Sequence, residues 1–142
     1  MARSFDGTND YLENSNAVLT ALPITMACWF NTDTITSDRS LMQITDTGST
    51  NNYYQLRIRA GSTTISACRR FGGGNHNADC TASPVVGDWH HACAQFIETA
   101  GADNSSAYMD AANKGTNTRH EEPAGLDATV IGRSGDSTPT EY

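Results

Sequence analysis

Lysine is almost missing from this chain: Lys114 is the only one, against eight arginines and sixteen acidic residues. With a formal net charge of −7 and no basic cluster, the sequence offers nothing to neutralise a phosphate backbone, which excludes nucleic acid as an expected partner. The same acidity discourages contact with anionic membrane surfaces. Long apolar runs are missing too. The longest, Met26 to Phe30, is far too short to cross a bilayer, so membrane insertion is not expected. The opening Met1-Ala2-Arg3-Ser4-Phe5 has no apolar h-region, and no signal peptide is expected. No segment holds a helical apolar period over three turns, and there is no low-complexity linker or internal repeat.

What is there is polar but not highly charged. Hydrophobic residues make up 37% and charged ones 18%, and the excess lies in Thr, Ser, Asn and Gly. Thr fits a pleated sheet, while Gly, Asn and Asp supply turns, so the bias suits short strands joined by many turns. A chain of 142 residues suits one domain, taken as 1–142, able to bury roughly 70% of its unfolded surface.

The strands are read from alternation. Residues 3–13 form an opening strand with a turn at Asp6-Gly7. In 24–31, Ile24, Met26, Cys28 and Phe30 share one face while Ala27 and Trp29 share the other, which predicts a central strand covered on both sides. A short strand at 41–45 precedes a turn at 46–52. In 53–59, Tyr54, Leu56 and Ile58 point inward and Gln55, Arg57 and Arg59 outward. Strands follow at 63–70, 89–97, 106–112 and 128–133. Residues 71–80, FGGGNHNADC, read as a flexible loop, and 114–127 as irregular. Short strands at this spacing predict an all-β antiparallel sandwich or barrel.

Fragments in a fixed order sharpen this. They are Phe5-Asp6-Gly7 with Asp10-Tyr11, Trp29-Phe30, Trp89-His90-His91, Ala107 to Ala111, and Ile131-Gly132-Arg133-Ser134. Together they resemble the laminin-G-like jelly rolls of the concanavalin A-like lectin/glucanase superfamily. The resemblance implies a β-sandwich in which Phe5, Trp29, Trp89 and Gly132 hold the fold. Such modules continue past the Ile-Gly-Arg element into a closing strand beside the first. No apolar strand follows Arg133 here, so the expectation is a sandwich lacking that strand.

The same resemblance frames the chemistry. Glycoside hydrolysis needs two carboxylates about 5–9.5 Å apart. The related glucanases carry three acids at alternate positions of one strand. This chain has no such triplet, only Glu121-Glu122 before Pro123, so no enzyme activity is expected. His90, His91 and Cys93 lack a nucleophile elbow and read as caps at a strand entrance, with Trp89 packed inside. A zinc set drawn from Cys68, His76, Cys80 and His90 or His91 has suitable ligand types but matches no common spacing. Calcium is implied by the resemblance, with Asp6, Asp10, Asp46 and Asp103 as candidate ligands; ordinary turn chemistry competes for each. Glycan binding would use an exposed ring with polar neighbours, and Tyr53 beside Asn51 and Asn52 is the candidate. The four cysteines are read first as reduced; the pair to test as a disulfide is Cys68 with Cys80, which flank the Gly-rich loop.

The functional expectation is a non-catalytic protein. The abrupt Met-Ala-Arg-Ser-Phe-Asp-Gly start resembles stand-alone modules of tailed phages. That implies a virion surface, capsid-decoration or tail/fibre component, made in the host cytoplasm, with capsid or tail proteins or further copies of the chain as partners. The alternative is a lectin-like adhesion module that binds glycans, and the remote one a glycoside hydrolase.

Overall fold

The computed structural model describes residues 3–5, 10–98 and 104–135. Among these lie ten strands and no helix. In chain order they are β1 (Leu12–Asn14), β2 (Ile24–Asn31), β3 (Arg39–Thr45), β4 (Tyr53–Arg59), β5 (Thr64–Phe71), β6 (Gly74–Asp79), β7 (Trp89–Phe96), β8 (Ser105–Met109), β9 (Asn113–Asn117) and β10 (Ala128–Ile131). One sheet has six strands in the order β1-β10-β3-β4-β5-β6, the other four in the order β2-β7-β8-β9, with every pairing antiparallel. The all-β jelly-roll sandwich expected from the sequence is the fold observed. No helix is long and apolar enough to cross a membrane.

Alternation decides what enters the core. Ile24, Met26 and Phe30 of β2, Ala92, Ala94 and Phe96 of β7, and Tyr54, Leu56 and Ile58 of β4 are buried between the sheets. Each large apolar side chain so buried contributes about 1.5–3 kcal/mol. Small residues on β5 to β8, among them Ala67, Ala78 and Ala107, let the layers approach closely.

One fully buried inward position is charged. Arg69 stands opposite Tyr54 across β4–β5 and is fully buried. Its guanidinium lies over the rings of Tyr54 (5.4 Å) and Phe96 (6.0 Å). It donates to three carbonyls: Ile97 at 3.1 Å, Asn104 at 3.0 Å and Glu121 at 3.3 Å.

Four expectations need correction. Residues 71–80 are not a loop tip. Gly72 and Gly73, both at positive φ (58° and 89°), form a tight two-residue turn, and the polar run beyond it is β6, paired Phe71↔Gly74 through Ser66↔Asp79. The irregular stretch contains β9, entered through Asp110 and Ala111 at positive φ. Strand β2 is not central: among the described residues it pairs with β7 alone and forms the edge of the four-stranded sheet. Finally, the strand beside the first is β10 itself, in register Leu12↔Ile131 to Asn14↔Thr129.

The sandwich is closed on one side and open on the other. Strand β6 packs over β9, β5 over β8, β4 over β7 and β3 over β2, so the larger sheet runs two strands past the smaller. At the β6/β9 side the backbones touch: a Cβ on Gly115 would sit 1.9 Å from the carbonyl oxygen of Asp79. Asn117 Nδ2 reinforces the join by donating to Asn77 O at 3.0 Å.

Gly115→Ala is therefore expected to lower stability by about 2–3 kcal/mol, the usual cost of overpacking against atoms that cannot yield. In thermal unfolding that corresponds to a Tm drop of roughly 10 °C. Gly61→Ala, where a Cβ meets nothing within 4 Å, is the control and is expected to leave Tm within about 2 °C.

Candidate functional site

The residues proposed for glycan contact do gather, but not as an exposed ring. Tyr53 is only 5% exposed, because it lies on the outer face of β4, an interior strand of the six-stranded sheet between β3 and β5, where neighbouring side chains cover it. Burial pushes its hydroxyl up to about 12. That hydroxyl donates to Asn75 Oδ1 at 3.2 Å. Arg70 lies over the Tyr53 ring at 5.9 Å and donates to Asn75 Oδ1 (3.2 Å) and Asn51 Oδ1 (3.4 Å). Asn52 contributes its backbone carbonyl to the Asp46 N–H at 3.1 Å. Beside this cluster the outer face continues as a polar layer. Arg57 meets Asp38 (3.3 Å) and Asn77 (2.8 Å), Arg59 meets Asp79, and Gln43 Oε1 accepts from Gly135 N at 3.0 Å. This face is largely occupied with itself.

The metal and disulfide expectations meet the geometry less well. Among the described residues no three His, Cys, Asp or Glu side chains form a metal-holding group. Asp46 Oδ1 accepts from Gly48 N at 2.9 Å, a turn closure of the kind that Asp makes routinely. Asp10 joins no acidic cluster, and Asp6 and Asp103 lie outside the described residues. Neither Cys68 nor Cys80 is in a disulfide. Cys68 shares the outer face with Gln55 and Asn77, whereas Cys80, an odd number of residues beyond Asn77, turns into the core. Two thiols on opposite faces of one sheet cannot bridge.

The histidines act on structure. His90 Nδ1 contacts Asp110 Oδ2 at 2.8 Å, and its Nε2 accepts from Val85 N at 2.9 Å. The His91 N–H donates to Asp110 Oδ1 at 2.9 Å. Both ring nitrogens of His90 are engaged in tying the 81–88 segment to the β8–β9 turn. Of the acids at 121–122, Glu121 pairs with Arg119 at 3.0 Å. Desolvation, then the Glu98 carboxyl, raises Glu122.

The strongest site lies where the sequence reading placed core. Trp29 is 67% exposed and Trp89 is 55% exposed, the opposite of the packing expected of them. They stand on the outer side of the paired strands β2 and β7, with Asn31↔Trp89 and Trp29↔His91 in register. The Trp29 and His91 rings are 5.3 Å apart, tilted by 59°. An open cleft of about 750 Å³ follows the free edge of β2, toward β3 and β10. Its lining includes both tryptophans, Phe5, Asp33, Arg3 and Arg39. Gly132 forms part of the wall; at φ 89° and with Phe5 where a Cβ would be, it admits no side chain. The signal in the sequence was parity: Trp29 and Trp89 both alternate away from the core-facing Phe30 and His90.

Comparison with known proteins agrees with the fold. A family model of laminin G type, described as the concanavalin A-like lectin/glucanases superfamily, matches residues 6–141. The CBM40 module of Ruminococcus gnavus IT-sialidase, bound to α2,3-sialyllactose, is similar in structure with a TM-score of 0.65 at 12% identity, covering 84% of this chain and 68% of that one. Domains LG4-5 of the mouse laminin α1 chain give 0.65 at 14% identity, over 97% of this chain and 38% of that one. The heptameric SAP-like pentraxin of Limulus polyphemus gives 0.63 at 16% identity, over 92% and 62%. No curated protein matches the chain in sequence.

Two outcomes follow from this geometry. A thiol titration of unreduced protein in guanidinium is expected to count all four cysteines; a count of two would mean a bridge. The hydrogen bonds from His90 and His91 hold the Asp110 carboxyl below its ordinary range. A depressed carboxylate stabilises the fold above its unfolded pKa, and that stability is lost as pH falls through the folded value. The Tm difference between wild type and Asp110→Asn is expected to be present at pH 7 and to shrink as the pH is lowered below 4.

Proposed function

Because the chain belongs to the concanavalin A-like lectin/glucanases superfamily, we propose that it is a glycan-binding, lectin-like module without a catalytic step. The observation that carries the reading is the exposure of both tryptophans along one cleft. An indole is the largest apolar payload a chain has, and folding normally spends it inside. Here a polar chain with two tryptophans leaves both in water, on paired strands, beside a cleft of ligand size. An indole face accepts the C–H face of a pyranose ring, and the polar groups of Asn31, Asp33 and His91 stand nearby for its hydroxyls.

The sialyllactose-bound sialidase module supports the reading as a structural neighbour whose ligand is a saccharide. None of the neighbours named above is a virion protein, so glycan binding takes precedence here over the capsid or tail role expected from the opening fragments.

A glycan array, followed by calorimetry on the best hit, tests this. Trp29→Ala and Trp89→Ala are each expected to weaken binding about tenfold or more, about 1.4 kcal/mol. Both residues are exposed, so Tm should move by no more than a few degrees. An array without hits, or hits indifferent to both substitutions, would overturn the reading.

A further inference from the structure

We propose that Arg39 makes this cleft selective for anionic saccharides, by meeting a carboxylate or sulfate on a sugar whose ring lies against the tryptophans. The inference rests on the glycan reading above and adds the ligand's charge to it.

The eight arginines show why. Four are paired with carboxylates: Arg57 with Asp38, Arg59 with Asp79, Arg119 with Glu121 and Arg133 with Glu13. Arg69 holds three carbonyls, and Arg70 two asparagine side chains. Arg3 and Arg39 remain, with no ion pair or hydrogen bond among the described residues, and both line the same cleft. In a chain with sixteen acids to nine bases, carboxylates are not scarce. The two unpaired cations nevertheless stand together beside the two exposed indoles.

Arg39 is the better placed of the two. It opens β3 opposite Ile58, which puts it on the inner face of the six-stranded sheet, among apolar neighbours. Its Nε is buried without a partner. Arg3, by contrast, is exposed and lies over the Phe5 ring at 5.8 Å. A half-buried guanidinium fixed on a strand, with donors unspent, is preorganised for a planar carboxylate or a sulfate, to which it can present two parallel N–H groups. Low-dielectric walls on either side strengthen that contact relative to one in open water.

The test compares lactose, 3′-sialyllactose and 3′-sulfolactose, titrated into wild type and into Arg39→Gln, Arg39→Lys and Trp29→Ala. Wild type is expected to bind both anionic sugars at least tenfold more tightly than lactose, with the margin narrowing as salt rises. Arg39→Gln should shrink the margin to within threefold, chiefly by weakening the two anionic sugars. Arg39→Lys, which keeps the charge but not the fork, should hold an intermediate margin, and it serves if the Gln variant fails to fold. Trp29→Ala should weaken all three sugars alike. A stronger response to sialyllactose identifies a carboxylate as the natural group, and to sulfolactose a sulfate. Equal binding of lactose and both anionic sugars, or a margin unaffected by Arg39→Gln, would overturn the charge selectivity and leave glycan binding standing. Failure of wild type to bind any saccharide would overturn both.

Discussion

One buried cation ties the ends of this sandwich together. Two apolar sheets can slide over each other, since dispersion and burial have little directional preference. The Arg69 guanidinium supplies direction. It sits on two core rings and reaches three carbonyls that belong to the end of β7, the start of β8 and the run before β10. Burial lowers its pKa, while the carboxylates of Glu121, Glu122 and Glu98 nearby act in the opposite sense. An arginine in a core is tolerated only when its donors are spent, and here fixed backbone oxygens take most of them. The segment that leads from β9 into β10 holds no strand, and this contact anchors it together with the bonds of Thr118 to Asn104 and of Asp127 to Thr45 and Thr47.

Much of the fold was legible because it follows a period of two. Ile24, Met26 and Phe30, and Tyr54, Leu56 and Ile58, are inward by alternation and inward in the structure. What escaped were elements whose identity lies in their partners. Strand β6 is Gly74-Asn75-His76-Asn77-Ala78-Asp79, a loop by composition; only its pairing with β5 across a two-glycine turn makes it a strand. Nothing local announces the three carbonyls that admit Arg69 to the core. Trp29 and Trp89 read as core because of their size. Their parity pointed outward, but whether outward meant solvent or another layer depended on the strand order of the smaller sheet.

The candidate site has the same origin. Tyr53, Asn51 and Asn52 were adjacent in sequence, and the fold does bring Tyr53 and Asn51 to Arg70 and Asn75, in a layer whose groups mostly satisfy one another. The cleft instead joins residues far apart in the chain: Arg3, Trp29, Arg39, Trp89 and Gly132. It exists because four strands face six. Where the smaller sheet stops at β2, the larger one continues into β10 and β1, and the step between them is the cleft. A sandwich with equal sheets would have buried those tryptophans or left them on a flat wall.

The backbone contact between Gly115 and Asp79 gives this layout a mechanical sense. It acts as the spine of a book whose covers are the two sheets. A small rotation about that spine moves the nearby strands little and the far edge most, because displacement grows with distance from the axis. The far edge is β2, which carries Trp29. A molecule bound there, as proposed, would grip the covers where they have the most leverage on each other and would restrain the sandwich with the least force.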